Sequence, residues 1–227
     1  MVTLARLFDF ALAPRAAVAL VLERGSALLA FVLMAIASLV SAMSAARVAE
    51  TIDMNALFFA GTRQPWVQAM IDQLGPERTA VVLYLVQRSF DAIIVATAIS
   101  PLFVWLLGSS AIHASARLAG IRRPYLPLLI VFAYATALTL VPASIATLVL
   151  GSGDAPLARI ASAIGWICLI WLGVIAHRAI QVHYGVDGDR AIRILVVAIV
   201  LFYIVPLVFI VLAAVSIVIA AILLEYF

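Results

Sequence analysis

Residues Ile194 to Leu224 read ILVVAIVLFYIVPLVFIVLAAVSIVIAAILL, a stretch without one Asp, Glu, Arg or Lys. A helix rises 1.5 Å per residue, so about 20 apolar residues span a hydrocarbon core of about 30 Å. The run is longer than one crossing needs and too short for two, so a tilt, a kink at Pro206 or protrusion must take up the excess. Four further uncharged runs lie upstream: Ser26 to Ala46, Ala92 to Ile112, Pro124 to Leu150, and Ile160 to Ala176, the last closed by His177 and Arg178.

The whole chain has the same character. Of 227 residues, 67% are hydrophobic and 11% charged, too little charge to cover a water-soluble domain and too much apolar residue for a disordered one. The expected fold is all-α, a polytopic integral membrane protein with a five-helix transmembrane bundle and short interfacial helices. Its expected parts are a leader at 1–25, a first span at 26–46, an extramembrane segment with an interfacial helix at 47–91, and the other four spans at 92–227.

Charge gives a direction. The segment before the first span and the loops after the second and fourth carry nine arginines against four acids, net +5. The opposite side carries five arginines against seven acids, net −2. By the positive-inside rule the N-terminus is expected in the cytoplasm and the C-terminus across the membrane. The small-residue stretch from Ser41 to Ala46 resembles a cleavage site. The apolar run around it is too long for a signal-peptide core and too far from the start, so an uncleaved helix is expected.

In the leader, Leu4, Leu7, Phe8 and Ala11 recur at helical spacing, which predicts a short amphipathic helix ending near Pro14 on the membrane surface. A second helical stretch, Ala16 to Leu22, follows. In the outer segment Pro65 suits a first helical position, Trp66, Met70 and Leu74 share a stripe, and Gly75-Pro76 is a stop. Trp66 is expected to be an interfacial anchor. From Glu77 to Arg117 one long helix is expected, its early turns projecting with Val81, Val82, Leu85 and Val86 in need of a cover.

Few residues offer chemistry. His113, His177 and His183 map to one end of the helices but lack the spacing of a metal site, so capping roles are expected and no metal. Cys168 stands alone in an apolar run. No ionisable residue sits inside a span, where a pump or proton relay would need one. Arg88 and Asp91 are spaced to pair within one helical turn. No catalytic residue, cofactor or nucleic-acid partner is expected. Pro101, Pro142 and Pro206 each free a carbonyl one turn earlier, which must find another donor or leave a kink. Ala161, Gly165 and Gly173 give the fourth span a face on which another helix can pack closely. Arg117, Arg122, Arg123, Arg178, Arg190 and Arg193 are the main topology signal and candidate contacts for anionic headgroups or partners.

Three stretches carry a likeness: Pro14-Arg15 before the first span; Gly120-Ile121-Arg122-Arg123-Pro124-Tyr125 leading into Leu128 to Ala137 with Ala133-Tyr134; and Gly185-Val186-Asp187-Gly188-Asp189-Arg190-Ala191 before the fifth span. With the five spans, they make the chain resemble the Ypt-interacting-protein (YIP) family in its bacterial branch. The resemblance implies an adaptor of the bacterial cytoplasmic membrane. The reading is therefore a non-enzymatic adaptor or accessory subunit that binds other integral membrane proteins or its own copies, with anionic lipid at its arginines. The alternatives are a transporter or channel for a small neutral or lipidic molecule at the proline sites, and, ranked lower, an enzyme acting on lipid headgroups.

Overall fold

The computed structural model describes residues 9–51, 65–151 and 155–226, with side chains described except at 51, 65–67, 76, 155, 213–214 and 217–226. Among the described residues there are helices and no strand. They are α1 (Asp9–Leu12), α2 (Pro14–Arg24), α3 (Ala27–Thr51), α4 (Pro65–Leu74), α5 (Pro76–Leu118), α6 (Tyr125–Leu150), α7 (Ala155–Tyr184) and α8 (Gly188–Tyr226). Among the described residues α3, α5, α6, α7 and α8 are long and apolar enough to cross a membrane, one for each uncharged run. α3, α5, α7 and α8 extend past their runs at one end or both, because polar residues outside lipid do not break a helix whose backbone bonds are already paired, whereas α6 starts one residue inside its run and ends with it.

The ends follow local chemistry. α4 stops where Gly75 takes a positive φ of 79° and its N–H bonds the Ile71 carbonyl, a left-handed cap that residues with a Cβ adopt only with strain. α5 starts at once with Pro76, whose missing N–H costs nothing at a first helical position. It then runs for 43 residues, about 64 Å and twice the thickness of the hydrocarbon core. The single helix expected from Glu77 to Arg117 is thus present.

The chain forms two compact units. The first comprises Met1–Phe31, Phe103–Thr136 and Leu172–Phe227. Its core joins Val18 and Val21 of α2, Ile112 of α5, Leu128 and Val131 of α6, Ile175 and Ile180 of α7 and Ile194 of α8. Gly25 lies at a tight spot: a Cβ there would run into the Val21 carbonyl and stand 2.9 Å from Ile130 Cγ2. Of the expected leader stripe, Leu4, Leu7 and Phe8 lie outside the described residues, Ala11 is exposed, and Phe10 beside it is buried. Ala13, with φ −139° and ψ 64°, breaks the helix before Pro14, and α2 buries Ala17, Val18 and Val21 in the protein core.

The second unit comprises Val32–Leu102 and Ala137–Trp171. Met70 and Ile71 of α4 pack against buried Leu83 of α5, a residue not among the four for which a cover was expected. Of those four, Val81, Leu85 and Val86 are exposed. Ser41 and Ala45, from the stretch resembling a cleavage site, are buried within α3. Ser41 also answers the question raised by Pro101, whose ring removes the donor for the Thr97 carbonyl. The hydroxyls of Ser41 and Ser100 donate to that oxygen at 2.7 and 2.9 Å.

Candidate functional site

Polar side chains concentrate in the first unit, where α5, α7 and the two short connections 119–124 and 185–187 meet the starts of α6 and α8. α5 ends in a Schellman motif. Gly120, at φ 78°, donates to Arg117 O, and Ile121 donates to Ala116 O, so the last carbonyls find donors. α7 ends at Gly185, φ 66°, whose N–H reaches Gln181 O at 3.0 Å. α8 begins with Asp187 as its N-cap, the carboxylate accepting from the Arg190 N–H at 2.8 Å.

Side chains then tie these ends together. Tyr125 OH, at the start of α6, stands 2.9 Å from both Ser109 Oγ and Ser110 Oγ of α5. One turn deeper, Trp105 Nε1–H donates to Leu129 O at 2.8 Å. Ser115 Oγ donates to Ile194 O of α8 at 2.7 Å, and Arg190 donates to Ala119 O at 3.0 Å. The three histidines do similar work. His183 Nε2 lies 3.0 Å from Pro124 O, and His177 Nε2 lies 3.2 Å from Gly188 O, so both nitrogens carry the proton. Arg117 Nε–H donates to His113 Nε2, which leaves His113 Nδ1–H to donate to Tyr184 OH at 3.1 Å. The His113 ring also packs on Tyr125, 5.1 Å between centroids. Among the described residues no group of three His, Cys, Asp or Glu side chains has the spacing of a metal site. The cluster joins helix ends, and each histidine in it is occupied by a neighbour.

All six arginines singled out from the sequence lie in this unit, with different roles. Arg117 and Arg190 are engaged by the cluster. Arg122, Arg123 and Arg193 are exposed. Arg178 is half-buried and bonds Gln181 Oε1 at 2.8 Å. It borders a groove of about 890 Å³ that Arg15 lines from α2. This groove, Tyr125 as a hub and Asp187 as a cap were not anticipated from the sequence. Only the cap left a local signal, an acid three residues before Arg190 at a turn.

The remaining positions lie elsewhere. On α7, an added Cβ at Gly165 or at Gly173 meets no heavy atom of the described residues within 4 Å. α5, α6 and α8 continue through Pro101, Pro142 and Pro206. Trp66 belongs to α4, but its side chain is outside the described residues. Arg88 and Asp91 pair at 3.6 Å, with Tyr84 OH accepting from Arg88 Nε at 3.1 Å.

Residues 8–210 match the family described as Yip1 domain. No curated protein and no solved structure matches the chain.

Proposed function

On the premise that the chain belongs to the Yip1 domain family, membrane proteins not known as enzymes, we propose that it is an adaptor or accessory subunit that binds other integral membrane proteins within the bilayer. The observation that carries this reading is the open space beside Gly165 and, separately, beside Gly173 on α7. Exposed Leu or Ile on a spanning helix needs no partner, since lipid covers it. Glycines are different, because they give lipid little to grip and let another backbone come close. The engaged polar cluster adds support: its groups spend their hydrogen bonds on one another and on helix ends. In this reading the membrane is the bacterial inner membrane of the family resemblance, and the positive-inside rule supports arginine-rich ends on its cytoplasmic side with the C-terminus on the far side. Arg122, Arg123 and Arg193, exposed there, are free to meet anionic headgroups or a partner's acids.

Purification of the full chain in mild detergent should recover a stoichiometric membrane partner or a defined homo-oligomer. Gly165→Leu with Gly173→Leu should remove it without loss of fold, because a Cβ at either position meets no heavy atom of the described residues within 4 Å. A monodisperse monomer without a partner counts against the reading. So does a partner that the glycine variants leave in place.

A further inference from the structure

The groove between α2 and α7 is not used by the hydrogen-bonded cluster. Arg15, Ala16 and Ala19 of α2 face it from one side, and Arg178, Gln181 and Val182 of α7 from the other. Its charge is one-signed: two guanidinium groups line it, no Asp or Glu does, and among the described residues neither arginine forms an ion pair. Arg178 has a neutral partner, Gln181 Oε1, which orients the guanidinium without neutralising it. Planar five-donor groups of this kind suit the oxygens of a phosphate or carboxylate. The rest of the lining is apolar, mostly alanine and valine methyl groups. At about 890 Å³ the space exceeds what a lone ion fills and suits a ligand of several groups.

Depth identifies the ligand further. Arg178 lies two residues past the end of the uncharged run Ile160 to Ala176, about 3 Å along the helix. Arg15 belongs to the helix just before α3 enters the membrane. The groove is therefore at the level of the headgroups, where an anion attached to an apolar tail is abundant. We propose that the Arg15–Arg178 groove is a binding site for one phosphate-bearing ligand, its phosphate between the two guanidinium groups and its apolar part along Ala16, Ala19 and Val182. Of the two sources of that chemistry, a lipid headgroup and a soluble phosphate, the depth and the apolar wall favour the lipid. The uncapped first turn of α2 borders the same space and adds a positive dipole end. The site stands independently of the adaptor reading and does not use the α7 glycines.

The test is native mass spectrometry of the full chain in neutral detergent, titrated with dioctanoyl phosphatidylglycerol, dioctanoyl phosphatidylcholine or inorganic phosphate. The expected result is one phosphatidylglycerol per chain, held better than phosphatidylcholine and weakened by salt. Arg15→Gln should lower its affinity about fivefold, and Arg15→Gln with Arg178→Gln about thirtyfold, taking the ordinary worth of one arginine near an anionic lipid. Arg15 is exposed and, among the described residues, bonds no other side chain, so its variant reads binding even if the double variant folds poorly. Arg47→Gln with Arg159→Gln, two exposed arginines of the second unit, should bind as the unmodified chain does. Displacement by millimolar inorganic phosphate would support the two-arginine site with a soluble source, and no displacement supports the lipid. Equal retention by the Arg15 and Arg178 variants overturns the site. So does no preference over phosphatidylcholine, or an equal loss in the Arg47 and Arg159 variant.

Discussion

Replacing Ser41 and Ser100 together by Ala should destabilise the protein strongly only while residue 101 is proline. In the native chain the Thr97 carbonyl lies inside the uncharged run of α5, where Pro101 offers no N–H. Two hydroxyls serve it instead, Ser41 at 2.7 Å from α3 and Ser100 at 2.9 Å from its own helix. Loss of both leaves a carbonyl with no donor away from water, which costs about 1–3 kcal/mol. Bonds between spanning helices average about 0.6 kcal/mol, with a maximum of about 1.7 kcal/mol, so the loss should fall in the lower half of that range. With Pro101→Ala, residue 101 gains an N–H in register for Thr97 O, and the same two serine changes should cost roughly 0.5 kcal/mol. The small cavity left by the proline ring is present in both arms of the second comparison and cancels. The coupling energy is then on the order of 1 kcal/mol. Equilibrium unfolding of the four chains in mixed micelles, followed by circular dichroism, measures it. Equal losses in the native and Pro101→Ala backgrounds would refute the idea that the serines stand in for a missing backbone donor.

Other substitutions probe the helix ends and the tight spot between α2 and α6. Gly25→Ala should cost about 1–3 kcal/mol, because its Cβ meets the Val21 carbonyl and stands 2.9 Å from Ile130 Cγ2, whereas Gly165→Ala, with open space around it, should be neutral or stabilising in the same unfolding assay. Asp187→Ala should lose about 0.5–2 kcal/mol with the N-cap of α8, and Asp187→Asn should keep most of it. Gly120→Ala places a side chain at φ 78° and should lower the melting temperature, while Ala119→Gly beside it should not reproduce that strain.

The five crossings could be read from the chain because lipid imposes a crude and lengthy demand, and runs such as Ala92 to Ile112 meet it without any knowledge of neighbours. Local stops were equally open to reading. Gly75-Pro76 ends one helix and begins the next through backbone chemistry that two residues contain. The burial of Phe10 was not, because the break at Ala13 resets which side chains share a face, and which of them meets the core is settled by tertiary packing. The donors for Thr97 O could be narrowed to nearby hydroxyls, yet Ser41 is on another helix, and its approach is a product of tertiary packing. The same holds for Tyr125 between Ser109 and Ser110, and for Arg15 near Arg178. The arginines counted as one topological signal proved unlike one another: Arg190 fastens a carbonyl, Arg178 borders a groove, and Arg122 stands in the open.

The stretch of α8 around Pro206 has a different kind of freedom. From Tyr203 to Leu212 every side chain except that of Pro206 is exposed, on all sides of the helix. Where lipid covers it, this rod takes its lean from the membrane itself: thin bilayers lay it over and thick ones draw it upright. Exchange among Leu, Ile, Val and Phe should pass unnoticed along that stretch, since what it must satisfy there is a fluid and not a fitted mate.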